Sequence, residues 1–293
     1  MQVVVFGKVF RDKDEPYIKV LFDALHDAKI NTYVYEPYLN QIKDKVSFTK
    51  DVGTFQSYLD FKTRKIDFVI TLGGDGTILQ ATTVIRDSNV PIMGINLGRL
   101  GFLASIEKKM IVEAISLLKK GMYSLDERSL LYLESNISVF GETRFALNDC
   151  TLLKRDTSSM IVIHTYINGE YLSSYWADGI IISTPTGSTG YSLSCGGPII
   201  FPNSGNFVIT PVAPHNLNIR PIVISDNSVI SFDIEGRSDN FLCTLDSRFE
   251  TISSEHQLAV RKADFTIKLV QLRDMSFMRT MREKLTWGMD SRN

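Results

Sequence analysis

The chain has 293 residues, 44% of them apolar and 22% charged, with a formal net charge of −1. That length supports one large domain or two ordinary ones around a sizeable core. The near-neutral balance excludes a global basic field of the kind that gathers nucleic acid or an anionic membrane, so any phosphate contact must be local. No stretch approaches the roughly 20 apolar residues of a membrane span, so no membrane partner is expected. The opening Met1-Gln-Val-Val-Val-Phe-Gly7 is too short for a signal-peptide core and reads as a first strand. Cys150, Cys195 and Cys243 are odd in number and widely spaced, which fits neither a disulfide framework nor a metal pair and points to the cytoplasm.

The first 120 or so residues alternate strand and helix. Val3–Phe6 is an apolar run, followed by Ile18, Leu21, Phe22 and Leu25 at helical spacing. Thr32–Tyr35 is a second β-rich run, and 44–65 is polar and weakly patterned, as a mobile connection would be. Asp67–Leu72 is a third strand, ending at Gly73-Gly74. Ile78–Ile85 reads as a helix, Pro91–Ile95 as a strand and Ile111–Leu118 as a helix. Repeated βα units of this kind predict a parallel, Rossmann-like α/β domain over 1–120.

After Gly121 strand-like runs follow one another. Met160–Ile167 and Glu170–Trp176 flank Asn168-Gly169, a two-residue hairpin signal. Ile180–Ser183, Phe207–Thr210, Val229–Ile234, Phe241–Leu245 and Phe265–Leu269 continue the series, predicting an all-β, sandwich-like domain over 121–270. The tail over 271–293 recovers helical character from Met275 to Trp287.

Two segments carry chemistry. Gly73-Gly74-Asp75-Gly76-Thr77 joins a strand to a helix, where ligands of open α/β sheets sit. Its glycines remove the Cβ atoms that would hold a phosphate away, and the helix start offers free N–H groups. Asp75 is then an anion at a phosphate site. A simple binding site would avoid that repulsion, but a phosphoryl-transfer site can use a carboxylate to accept the proton of the attacking hydroxyl. The usual P-loop and kinase-type catalytic loops are missing. Thr184–Pro198 holds four glycines, two prolines and six Ser or Thr hydroxyls, with no charge, directly after the apolar Gly179–Ser183. Such a loop lets backbone approach a ligand and turn N–H groups to phosphate or sugar oxygens. The four histidines show no metal-ligand spacing, so no side-chain metal site is predicted.

Together these two segments resemble NAD kinases, which phosphorylate the 2′-hydroxyl of the adenosine ribose of NAD. Asn148-Asp149, Asn96–Leu103 and Lys284–Gly288 match further elements of that family in its order. The resemblance implies NAD bound between the domains, ATP as phosphoryl donor with Mg²⁺, a tail returning to the first domain, and a homodimer or homotetramer. It implies that Asp75 accepts the hydroxyl proton, with Gly73, Gly74, Gly76 and Thr77 around it. Asn148 and Asp149 would hold ribose hydroxyls or the adenine edge, and Asp178 the nicotinamide half. Thr189, Gly190, Tyr191, Ser192, Ser194 and Ala213 would line the nucleotide pocket, with Arg248 at a phosphate. Gly190 stands where the family usually has Ala, Asp149 where many members have Glu, and Arg248 where Gln is common. The rival readings are a related lipid or sugar kinase and a non-catalytic NAD(H) or NADP(H) sensor; the loop argues against the first and Asp75 against the second.

Overall fold

The apolar runs near the N-terminus bury on both faces, which is what a parallel sheet covered by helices requires. The computed structural model describes residues 1–155, 159–273 and 276–287. The chain divides into two units, Met1–Glu127 with Ile267–Asn293, and Arg128–Thr266.

The first unit runs β1 (Gln2–Gly7), α1 (Glu15–Asp27), β2 (Asn31–Tyr35), α2 (Glu36–Ile42), β3 (Gly53–Phe55), α3 (Leu59–Thr63), β4 (Phe68–Leu72), α4 (Asp75–Ile85), β5 (Ile92–Asn96), β6 (Ile106–Glu107) and α5 (Ile111–Lys119). The strands pair in parallel in the order β5-β4-β1-β2-β3. α1 buries Ile18, Leu21, Phe22 and Leu25, the predicted helical stripe. Its core unites them with Val3, Val5, Ile70, Ile95 and Ile115. The weakly patterned 44–65 stretch holds the three-residue β3 and the short α3. A strand that short carries almost no periodicity, and its pairing with β2 decides it.

The second unit takes in most of β7 (Tyr123–Ser135), then β8 (Phe145–Ala146), β9 (Asp149–Lys154), β10 (Ile161–Ile167), β11 (Glu170–Ala177), β12 (Gly179–Ser183), the four-residue α6 (Tyr191–Ser194), β13 (Asn206–Val212), β14 (Ile222–Ser225), β15 (Ile230–Glu235), β16 (Phe241–Leu245) and β17 (Arg248–Ile252). The long β18 (Leu258–Leu272) and α7 (Phe277–Leu285) complete the chain. One antiparallel layer has the order β14-β13-β12-β9-β16-β17; the other contains β11-β10-β15 and the start of β18. Their facing side chains form one core: Ile163, Tyr175 and Phe232 from the second layer meet Ile182, Phe207, Ile209 and Phe241 from the first. This is the predicted sandwich-like packing. The Asn168-Gly169 hairpin turns as expected, with φ of 53° and 83°.

The end of β18 pairs with β5 at Leu269 and Ile92, which returns the chain to the first unit. Ser276 caps α7 by accepting the Arg279 N–H at 3.2 Å. The last residue of the matched tail motif, Gly288, lies outside the described residues.

Candidate functional site

In the first unit, β4 is buried along its whole length and delivers the glycine turn to the carboxyl edge of the sheet. Gly73 has a φ of +152°, and a Cβ there would lie 2.2 Å from Thr77 Oγ1, so only glycine fits. A Cβ on Gly74 or Gly76 would meet nothing within 4 Å among the described residues, which leaves the start of α4 open to a ligand. Thr77 is buried behind them.

Asp75 opens α4, and its carboxylate reaches across to the next loop. Oδ1 accepts the N–H groups of Leu103 at 3.1 Å and Ala104 at 2.9 Å, and Oδ2 accepts that of Phe102 at 2.8 Å. Asn96 folds this loop: its amide donates to the Arg99 and Ala104 carbonyls and its Oδ1 accepts the Gly98 N–H. A Cβ on Gly101 would stand 1.8 Å from Asp75 Oδ1, so the loop can close on Asp75 only with glycine there. These contacts give the Asn96–Leu103 motif a physical role that its sequence did not disclose. Lys284 of α7 brings Nζ to 3.7 Å from Asp75 Oδ2.

In the second unit, Asn148 and Asp149 sit where the chain enters β9. Asp246, in the left-handed region at φ 54°, accepts the N–H groups of Leu147 at 3.0 Å, Asn148 at 2.7 Å and Asp149 at 3.4 Å. It therefore shapes the Asn148-Asp149 turn, a role that its spacing in the sequence did not signal. Thr184 clamps the same turn, donating Oγ1–H to the Leu147 carbonyl at 2.6 Å and its N–H to the Asn148 carbonyl. Gly187 passes so close that a Cβ would lie 2.1 Å from the Asn148 carbonyl oxygen.

The hydroxyl-rich loop thus folds over Asn148-Asp149 as a 3-10 turn at Gly187–Thr189 followed by α6. Its hydroxyls divide into two groups. Ser188 and Ser192 are fully buried and tie the loop down, Ser188 through the Pro185 carbonyl and the Ile200 N–H and Ser192 through Thr210 Oγ1 at 2.8 Å. Thr189 and Tyr191 stay accessible, Tyr191 at 41% exposure. Ser194 continues α6, donating its N–H to the Gly190 carbonyl.

Gly190 leaves a small space beside the acidic turn. A Cβ built there would be 3.2 Å from the Gly187 carbonyl oxygen, 3.9 Å from Asn148 Nδ2 and 4.0 Å from Asp149 Oδ2. Asn148 Oδ1 is buried and has no hydrogen-bond partner among the described residues. Asp149 is 6% exposed. Burial, and then the neighbouring Asp246, push its carboxyl up to about 7. Burial first, then Cys195 and the carboxylates of Asp149 and Asp178, raise the Tyr191 phenol, so these groups share one neighbourhood. Asp178 pairs with Lys154 at 2.6 Å. Ala213 follows β13 with a φ of 44°, an uncommon backbone for a residue with a Cβ. Arg248 is held by backbone: Nη1 and Nη2 donate to the carbonyls of Thr143 and Phe145, and its Cζ lies 5.7 and 5.8 Å from the ring centres of Phe140 and Phe145. Burial lowers its guanidinium below the ordinary arginine value.

An anionic glycine turn at a strand edge and a hydroxyl-rich loop over an Asn-Asp turn define a nucleotide-handling phosphotransferase. The ATP-NAD kinase N-terminal domain matches residues 17–123, and the ATP-NAD kinase C-terminal domain matches 147–272. The NAD kinase of Cytophaga hutchinsonii is 46% identical and that of Flavobacterium psychrophilum 44% identical, each over 100% of both chains. Among solved structures, yeast NADH kinase complexed with NADH superposes with a TM-score of 0.88 at 24% identity, covering 99% of this chain and 89% of that one. An NAD kinase from Archaeoglobus fulgidus in complex with ATP gives 0.73 at 23% identity, covering 98% and 99%. The chain belongs to the ATP-NAD kinase family.

Proposed function

We propose that this chain transfers the γ-phosphoryl group of ATP to the 2′-hydroxyl of the adenosine ribose of NAD, forming NADP and ADP. The observation that carries the reading is the space beside Gly190. Asn148 Nδ2 and Asp149 Oδ2 both border it, 3.9 and 4.0 Å from where a Cβ would stand. A donor beside an acceptor suits the hydroxyls of a ribose, each of which both gives and takes a hydrogen bond, and an ionised carboxylate binds a vicinal diol through two charge-assisted bonds. Tyr191 supplies a flat accessible face for a base, and Asp178 binds the nicotinamide half.

Asp75 is the proton acceptor. Oδ1 already takes two N–H groups, whereas Oδ2 takes one among the described residues, so Oδ2 is the oxygen with room for a hydroxyl. The ribose oxygen forms its bond to phosphorus, the bond from that phosphorus to the bridging oxygen of ADP breaks, and the hydroxyl proton passes to Oδ2. In a loose transition state the proton leaves late, so a carboxylate without special basicity serves. Most of the rate comes from positioning and from neutralising charge with N–H groups. Those of Gly74 and Gly76 at the open start of α4 suit the phosphates.

Among the described residues no three His, Cys, Asp or Glu side chains converge on a cation. Magnesium commonly takes one or two carboxylates together with substrate phosphates, and Asp75 beside an open phosphate turn fits that pattern. The ion would neutralise phosphate charge during transfer. No described helix is long and apolar enough to cross a membrane. We place the enzyme in the cytoplasm, as a homodimer or homotetramer. The test is to incubate purified protein with NAD, ATP and Mg²⁺ and to detect NADP with an NADP-specific dehydrogenase. NADP that requires all three supports the proposal; NAD binding without NADP from ATP, polyphosphate or NADH would replace it with a sensor.

A further inference from the structure

Asp75 lies at the edge of a turn built for phosphate, so a cation must balance it there. The turn Gly73–Thr77 contains no basic residue. Among the described residues, the ammonium paired with Asp75 comes from α7. Lys284 Nζ stands 3.7 Å from Asp75 Oδ2, the same oxygen that has room for the substrate hydroxyl. That separation is too long for a committed hydrogen bond. Lys284 is 36% exposed and Asp75 27%, so the pair sits at an accessible edge rather than in the core.

The ammonium has a second neighbour. It lies 4.8 Å from the centre of the Phe102 ring, and Phe102 donates its N–H to the same Asp75 oxygen. Phe277, at the start of α7, packs its ring 5.9 Å from that of Phe102. Two points along α7 are thereby fixed to the loop that holds Asp75. The result is a loosely bound cation on an anchored helix, beside the oxygen where the proton is transferred.

We propose that Lys284 is a phosphate-contacting residue of the transfer site, which rests on the kinase reading above. When ATP enters, the Lys284 ammonium moves from Asp75 Oδ2 to the oxygens of the transferring phosphoryl group, and Oδ2 becomes available to the ribose hydroxyl. Lys284 exchanges one anionic partner for another. A point charge on a flexible stem suits that exchange. Arg99, a cation of the loop that holds Asp75, makes no ion pair with Asp75 among the described residues and is the rival for this role.

The experiment compares wild type with Lys284→Ala, Lys284→Arg, Arg99→Gln and, as a control on the same helix, Arg282→Gln. ATP binding is measured by calorimetry and turnover by NADP formation, after thermal melting has shown that each variant is folded. Lys284→Ala is expected to weaken ATP binding and to lower kcat by about 10²- to 10³-fold, the scale for removing one group that stabilises transition-state charge. Its KM for NAD should stay near the wild-type value. Lys284→Arg should recover much of the ATP affinity, and Arg282→Gln should behave as wild type. The binding readout does not depend on turnover, so loss of ATP affinity in an enzyme that makes no NADP would support the contact and sink the kinase reading. Unchanged ATP affinity and turnover in Lys284→Ala, a loss confined to Arg99→Gln, or faster turnover without Lys284 would each overturn the proposal.

Discussion

Replacing Asp149 by Asn tests the buried carboxyl directly. Burial and Asp246 move this group from an ordinary 3.8 to about 7 in the folded protein. The sign follows from which state holds the proton. Below about pH 4 both states are protonated, and the contribution of the buried neutral carboxyl is complete. Between about 4 and 7 the unfolded chain ionises while the folded one keeps its proton, so stability falls as pH rises and the contribution is lost through about 7. A displacement of that size corresponds to about 4 kcal/mol. The titration is shared with Asp246, so a measured change of about 2–4 kcal/mol is expected. Urea unfolding at pH 5, 6, 7 and 8 reads it. Wild type should lose stability across the series relative to Asp149→Asn, whose amide does not titrate. The same ionisation should tighten NAD binding in wild type between pH 6 and 8, because the carboxylate is the better partner for a diol. Parallel stability profiles for the two proteins would refute the reasoning.

Asp75→Asn should leave NAD affinity nearly intact while kcat falls by about 10² or more, as for a lost general base; steady-state kinetics with calorimetry separates the two. Gly101→Ala would put a Cβ 1.8 Å from Asp75 Oδ1 and must push the loop off its three N–H bonds. Melting should show a loss of about 2 kcal/mol, and kcat should drop by at least about tenfold. Arg248→Met removes the donors to the Thr143 and Phe145 carbonyls. It should cost about 1–3 kcal/mol of stability with a smaller effect on the KM for ATP; an ATP defect larger than the stability loss would return Arg248 to the phosphate.

The continuous apolar runs of β4 and β5, the helical stripe of α1 and the Asn168-Gly169 hairpin were legible because each is a local pattern whose period or backbone demand a short segment carries by itself. The two functional segments were legible for the same reason: Gly73–Thr77 and Thr184–Pro198 are contiguous, and their composition suits no packed core. What pattern could not supply was β3, whose three residues leave no period, or the 13-residue β7, whose outer half is largely exposed and polar.

Contacts between distant segments were decided only by the tertiary structure. Asp75 meets N–H groups 27 to 29 positions away, Asp246 holds a turn 97 to 99 positions back, and Lys284 approaches Asp75 from the end of the chain. Arg248 shows the same limit from the other side, since a cation beside a site in sequence can be claimed by carbonyls that only the fold brings near. Backbone preference and hydrophobic period act over a few residues, so they specify strands, helices and turns. Which carboxylate oxygen stays open, which amide stays unpartnered and which ammonium stands beside a phosphate turn depend on long-range packing, and there the sequence by itself is silent.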